Sequence, residues 1–165
     1  MKEDPVRRLE AIMAKLRSEN GCPWDREQTH RSLRPYLIEE AYEAVEAIDS
    51  GDPAKIREEL GDVLLQVVFH AQVARENGGF TLDDIAEGIC EKMVRRHPHV
   101  FGNVHVDGVD GVLANWQRIK QEEKGGTSSG KTSVLAGISR GLPALQRAEQ
   151  IQARAAKVGF DWSSL

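Results

Sequence analysis

From Leu60 to Ala74 the chain reads LGDVLLQVVFHAQVA, and Asp62 is the only residue in that run with a full charge. Apolar residues surround the axis when the run is wound as a helix, and a helix apolar nearly all round is buried nearly all round. This segment is therefore the expected centre of the fold. Projected at about 100° per residue, Glu59, Asp62, Gln66 and His70 form one narrow polar stripe along it. A carboxylate in such a place needs a partner, because an unpaired buried charge is very costly.

The preceding segment supplies that partner set. Leu33, Leu37, Ala41, Ala44, Val45 and Ile48 recur at the spacing of one apolar helical face. Glu40 borders that face and Glu43 lies slightly further round, so both are read as semi-buried, whereas Glu39, Glu46 and Asp49 point away. The intervening Asp49-Ser50-Gly51-Asp52-Pro53 predicts a short turn and hence two antiparallel helices. Each helix carries an acidic pair at i,i+3, Glu40 with Glu43 and Glu59 with Asp62, which places each pair on one face. Four carboxylates meeting between helices repel one another unless cations sit among them, and an all-oxygen site suits Mg²⁺ or Mn²⁺. In the alternative reading, Glu40 and Glu43 decorate a solvated face and Asp62 pairs with an Arg or Lys.

Around this centre the pattern is helical throughout, with no convincing strand and no repeat. Pro5–Arg17 is an amphipathic helix, and Gly21–Asp25 is read as a loop whose Trp24 lids the core. The first acidic helix is expected to start near Thr29; Asp52-Pro53 caps the second, and Asn77-Gly78-Gly79 ends it. Thr81–Asp84 opens a further helix with a near capping box, carrying Ile85, Ile89, Met93 and Val94 inward. Its last turn holds Lys92, Arg95 and Arg96, beside the acidic pairs; they suit a helix C-terminus electrostatically, and contact with a substrate is the alternative reading. Phe101–Gly111 is irregular, Val112–Lys124 is helical, Gly125–Ser133 is a small polar connector, and Leu142–Val158 is a last amphipathic helix. The expected organisation is a domain over 1–124, a flexible linker over 125–133, and a C-terminal helix and tail over 134–165.

Composition narrows the class. With 165 residues, a net charge of −4 and scattered Lys and Arg, the chain offers no general basic field for nucleic acid. It has no apolar run long enough to span a membrane, and two cysteines, Cys22 and Cys90, without a metal or disulfide spacing; no signal peptide is expected ahead of Met1–Asp4. The reading is a cytoplasmic protein that binds neither membrane nor nucleic acid. Two motifs are set aside. Gly125–Thr132 satisfies G-x-x-x-x-G-K-[ST], but Ile119–Lys124 before it cannot be the buried strand that a phosphate loop requires. His97-Pro98-His99 with His105 lacks a nearby Cys, and Pro98 is read as holding it extended, so a structural or surface role is favoured over zinc.

Taken in order, Cys22-Pro23-Trp24-Asp25 with Gln28-Thr29-His30, Glu39-Glu40-Ala41-Tyr42-Glu43, Glu59-Leu60-Gly61-Asp62, and Arg95–Phe101 strongly resemble the MazG nucleoside triphosphate pyrophosphohydrolases. The resemblance runs on through Asn115-Trp116, Ile119-Lys120 and Val158–Trp162. It implies an all-α fold, a four-helix bundle completed by dimerisation, and hydrolysis of (deoxy)nucleoside triphosphates to nucleoside monophosphate and pyrophosphate with Mg²⁺ or Mn²⁺. It places the metal ligands at Glu40, Glu43, Glu59 and Asp62, the proton acceptor at Glu39 or Glu40, and substrate contacts at Lys92, Arg96, Trp116 and Lys120. Broad-specificity nucleotide-pool house-cleaning is the first expectation. Narrower action on dUTP, dCTP or phosphoribosyl-ATP is the second, and a weakly active nucleotide-binding or oligomerisation module the third. Many members carry two copies of the domain; this chain carries one and resembles the amino-terminal copy.

Overall fold

In a computed structural model describing residues 4–125 and 133–161, the chain is all-α, with eight helices among the described residues. They are α1 (Pro5–Leu16), α2 (Pro23–Glu27), α3 (Arg34–Ser50), α4 (Pro53–Glu76), α5 (Leu82–Arg96), α6 (Pro98–Phe101), α7 (Gly108–Gly125) and α8 (Ala144–Ala156). Packing divides the chain into two compact units, Met1–Arg95 and Arg96–Leu165. The connector expected at 125–133 and the phosphate-loop look-alike fall almost wholly on 126–132, outside the described residues, as does Trp162.

In the first unit α4 is the spine, packed against α3 and α1. Local chemistry defines its ends. The Asp52 carboxylate accepts from the Ala54 N–H at 2.9 Å, Pro53 supplies a preset φ, and the chain leaves the helix through Asn77 and a left-handed Gly78 (φ 69°). Gly51 (φ 67°) ends α3 in the same left-handed conformation, so the two helices reverse direction within a few residues. Val68, Phe69, Ala71 and Val73 of α4 join Met13 of α1, Leu33 and Leu82 in the core. Arg17, its side chain only 6% exposed, ties this unit together. Its guanidinium donates to both oxygens of Glu76 and to the Asp25 and Gln28 carbonyls, and it lies 5.6 Å over the Phe69 ring.

Several elements differ from the sequence expectation. The loop expected at Gly21–Asp25 becomes helical at Pro23, which starts the short α2, and Trp24, 49% exposed, is a partial cover set edge-on to Tyr36 and Phe69. Helix α3 begins at Arg34 rather than near Thr29, because Thr29 and Ser32 bond each other's backbone N–H at 2.9 and 3.2 Å and hold a separate turn. Of the apolar side chains of α5, only Leu82 and Ile85 turn inward; Ile89, Met93 and Val94 are exposed. The capping box that opens α5 is formed, with Thr81 and Asp84 bonding each other's N–H groups. Pro98 does not hold its segment extended but occupies the first turn of α6, a position that needs no N–H. Helix α7 starts at Gly108, inside the segment read as irregular.

The burial of the central pair also departs from expectation. Helix α4 is buried from Gln66 to Ala74 except at the half-buried Val67 and His70, whereas Leu60 and Leu64 are 50% and 40% exposed. On α3 the inward face is Ala44 and Ala47, below the buried N-cap residue Leu33; Leu37, Ala41, Val45 and Ile48 are exposed. Small alanines at 44 and 47 allow close helix approach, so α3 docks on its narrower apolar face and leaves the broader one outside.

Candidate functional site

Where α3 and α4 run side by side, Glu40, Glu43 and Glu59 each present a carboxylate oxygen, and the three oxygens lie within 4.8 Å of one another. Glu40 and Glu59 are half-buried, but Glu43 is exposed rather than semi-buried, since the helix rotates it away from the Ala44–Ala47 contact. Asp62, one turn beyond Glu59 on α4, is half-buried and acts electrostatically on both Glu40 and Glu59. Glu39 is exposed; its charge reaches Glu40 but it is not one of the three clustered carboxylates.

Electrostatics at this cluster are uncompensated. Burial, then repulsion from Asp62, Glu43, Glu39 and Glu59, raises the Glu40 carboxyl above the usual range. Burial, then Glu43, Asp62, Glu58 and Glu46, does the same for Glu59. Among the described residues none of these groups forms an ion pair with Lys or Arg, so the reading of Asp62 as half of a structural salt bridge finds no partner. All-oxygen, acceptor-only donors at this spacing fit a hard divalent cation. The cluster opens onto a cleft of about 380 Å³ lined in part by Glu43, Glu46, Glu58, Glu59 and Lys55. Neither Lys55 nor Glu58 stood out in the sequence; the signal was their position within one helical turn of Glu59. Glu46, read as pointing away, lines this cleft as well.

The expected cationic and aromatic groups divide between the units. Lys92 lies half-buried on α5 in the first unit. In the second, Arg96 and Lys120 both lie over the Trp116 ring, at 5.2 and 4.6 Å from its centroid. Arg96 also grips Glu123 with two nitrogens, the closer at 2.6 Å, so within that unit its partner is a carboxylate of α7. His97 and His99 pack ring to ring at 5.7 Å, and His105 is fully solvated, 4.0 Å from Asp107.

Comparison with known proteins places this arrangement. Residues 28–101 match the MazG nucleotide pyrophosphohydrolase domain. The chain is 54% identical, over 93% of its length, to the nucleoside triphosphate pyrophosphohydrolase/pyrophosphatase MazG of Thermotoga maritima. It is 50% identical over 97% of its length to the nucleoside triphosphate pyrophosphohydrolase of Escherichia coli K12. It spans 58% and 60%, respectively, of those two relatives' lengths. A crystal structure of a mazG-related protein from Thermotoga maritima superimposes with a TM-score of 0.57 at 29% identity, over 70% of this chain and 98% of that one. Glu40, Glu43, Glu59 and Asp62 all fall within the matched residues, and the chain carries a MazG nucleotide pyrophosphohydrolase domain over residues 28–101.

Proposed function

We propose that this chain hydrolyses nucleoside triphosphates between the α and β phosphates, releasing nucleoside monophosphate and pyrophosphate. The observation that carries the reading is the trio of Glu40, Glu43 and Glu59 oxygens within 4.8 Å, without a basic partner among the described residues. Such a nest repels a polyanionic triphosphate unless cations intervene. Glu40, Glu43 and Glu59, with Asp62, would hold Mg²⁺ or Mn²⁺, which neutralises phosphate charge and acidifies water when bound. The proton of the attacking water would pass to Glu39 or Glu40; a carboxyl raised by burial, as Glu40 is, accepts a proton more readily near neutral pH. Lys92, Arg96, Trp116 and Lys120 are proposed to receive phosphates and nucleoside, Arg96 exchanging Glu123 for phosphate. No base-reading residue stands out, which favours tolerance of several bases and a house-cleaning role.

The same reading makes the working form a homodimer. Ile38, Tyr42, Val45 and Ile48 are 48% to 54% exposed and lie along one side of α3, while Leu60 and Leu64 of α4 are also exposed. Such a patch supports association with a second copy that completes the four-helix bundle. Among the described residues no helix is long and apolar enough to cross a membrane, in keeping with a cytoplasmic site of action. The decisive experiment is chromatographic: each common NTP and dNTP incubated with the protein and Mg²⁺, with products identified. Monophosphate and pyrophosphate, lost with EDTA and in Glu59→Gln, are expected. Diphosphate with orthophosphate, or full activity of Glu59→Gln, would overturn the proposal.

A further inference from the structure

Away from the carboxylates, His30 in the turn before α3 and His70 on α4 meet through their Nδ1 atoms at 2.8 Å. Their ring planes differ by only 12° and their centroids are 5.1 Å apart. That is close to the largest centroid separation two imidazoles joined at 2.8 Å can reach. Each Nδ1 therefore lies on the line between ring centres, and the two in-plane lone-pair directions are collinear. A proton fits between them; a tetrahedral metal does not, since it needs lone pairs converging from different directions at about 2.0–2.1 Å each.

We propose that His30 and His70 share one proton through this bond, and that the shared proton pins the turn at 29–33 onto α4 until a second proton releases it. The stoichiometry follows from the imidazole ring. In the neutral pair one ring donates its Nδ1–H and the other accepts, so the donor's outer Nε2 is a free base. The first added proton binds there and leaves the bond intact. A second must land on the accepting Nδ1, which removes the acceptor and sets two cations side by side. His70 is half-buried, and His30 supplies the one charge acting on it; both burial and that charge hold the His70 imidazole below its ordinary value. Neither ring has a carboxylate partner among the described residues, and the ring next to His30 is the uncharged Phe80, at 6.1 Å. The turn so pinned ends in Leu33, a core residue 1% exposed, and feeds directly into α3.

The test needs no activity. Imidazole ¹⁵N spectra of the full chain should show, at neutral pH, one protonated and one bare Nδ1 across the pair, with protonation of the accepting Nδ1 only below the ordinary histidine value of about 6.5. Amide exchange across residues 29–33, corrected for intrinsic pH dependence, should accelerate about tenfold over that second step. His30→Ala, a change at an exposed position that leaves the core intact, should exchange fast at every pH and lose the step. Two bare Nδ1 atoms at neutral pH, independent titration of the two rings, or unaltered exchange in His30→Ala would overturn the proposal.

Discussion

Neutralising one carboxylate of the α3–α4 cluster separates a binding site from a structural one. Glu40 and Glu43 oxygens lie within 4.8 Å, and two unit charges at that distance repel by about 1 kcal/mol with water-like screening. Glu40→Gln keeps the shape and removes that repulsion, so without metal the variant should gain about 1 kcal/mol, or roughly 2–4 °C in Tm for a chain of this size. With Mg²⁺ the order should reverse. Wild type gains about 2.7 kcal/mol when free metal is a hundredfold above Kd, whereas the variant, short of one ligand, gains far less. The pH dependence follows from the raised Glu40 carboxyl. A group with a higher pKa folded than unfolded stabilises the fold below its unfolded value and loses that contribution as pH rises through the folded one. The metal-free advantage of Glu40→Gln should therefore be small near pH 4.5 and grow above it. Calorimetric scans with EDTA and with Mg²⁺, at several pH values, measure all three effects. A metal-free loss of about 3–5 kcal/mol, the signature of a broken buried pair, or equal Mg²⁺ stabilisation of both proteins would refute the reasoning.

Two further outcomes follow from the packing. Arg17→Met removes the guanidinium that satisfies Glu76 and two backbone carbonyls and should cost about 3 kcal/mol or more in urea unfolding. Arg17 is also the main cause of the lowered Glu76 carboxyl, so wild type should shed part of that stability as pH falls through the lowered Glu76 value; Arg17→Met should not. On the outer face of α3, Ile48→Glu should convert the proposed dimer to a monomer in light scattering with helix content unchanged; retention of a dimer would place the interface elsewhere.

Local chemistry made much of this fold legible in advance. Asp52-Pro53, Asn77-Gly78 and the Thr81–Asp84 box act within a turn of themselves, so the ends they mark stand where the pattern put them. The pairing of Glu40 and Glu43 with Glu59 was legible for a related reason: i,i+3 spacing and a short turn leave an antiparallel helix pair little freedom. The family resemblance added roles that spacing alone does not carry, and it rested on motif order along nearly the whole chain.

What the sequence by itself determined is thus the all-α class, the α3–α4 hairpin and the convergence of its acidic residues, because each depends on neighbours a few positions away. Tertiary structure alone decided which side of α3 is buried. Apolar residues cover more than half of that helix, so periodicity leaves two faces in competition, and the close contact through Ala44 and Ala47 settles it against Leu37, Val45 and Ile48. That rotation also leaves Glu43 exposed, lining the cleft with Lys55 and Glu58 of α4. The meeting of His30 with His70, of Arg17 with Glu76 and of Arg96 with Glu123 belongs to the same class. Such contacts join residues tens of positions apart, and only the packed chain, not its local pattern, specifies them.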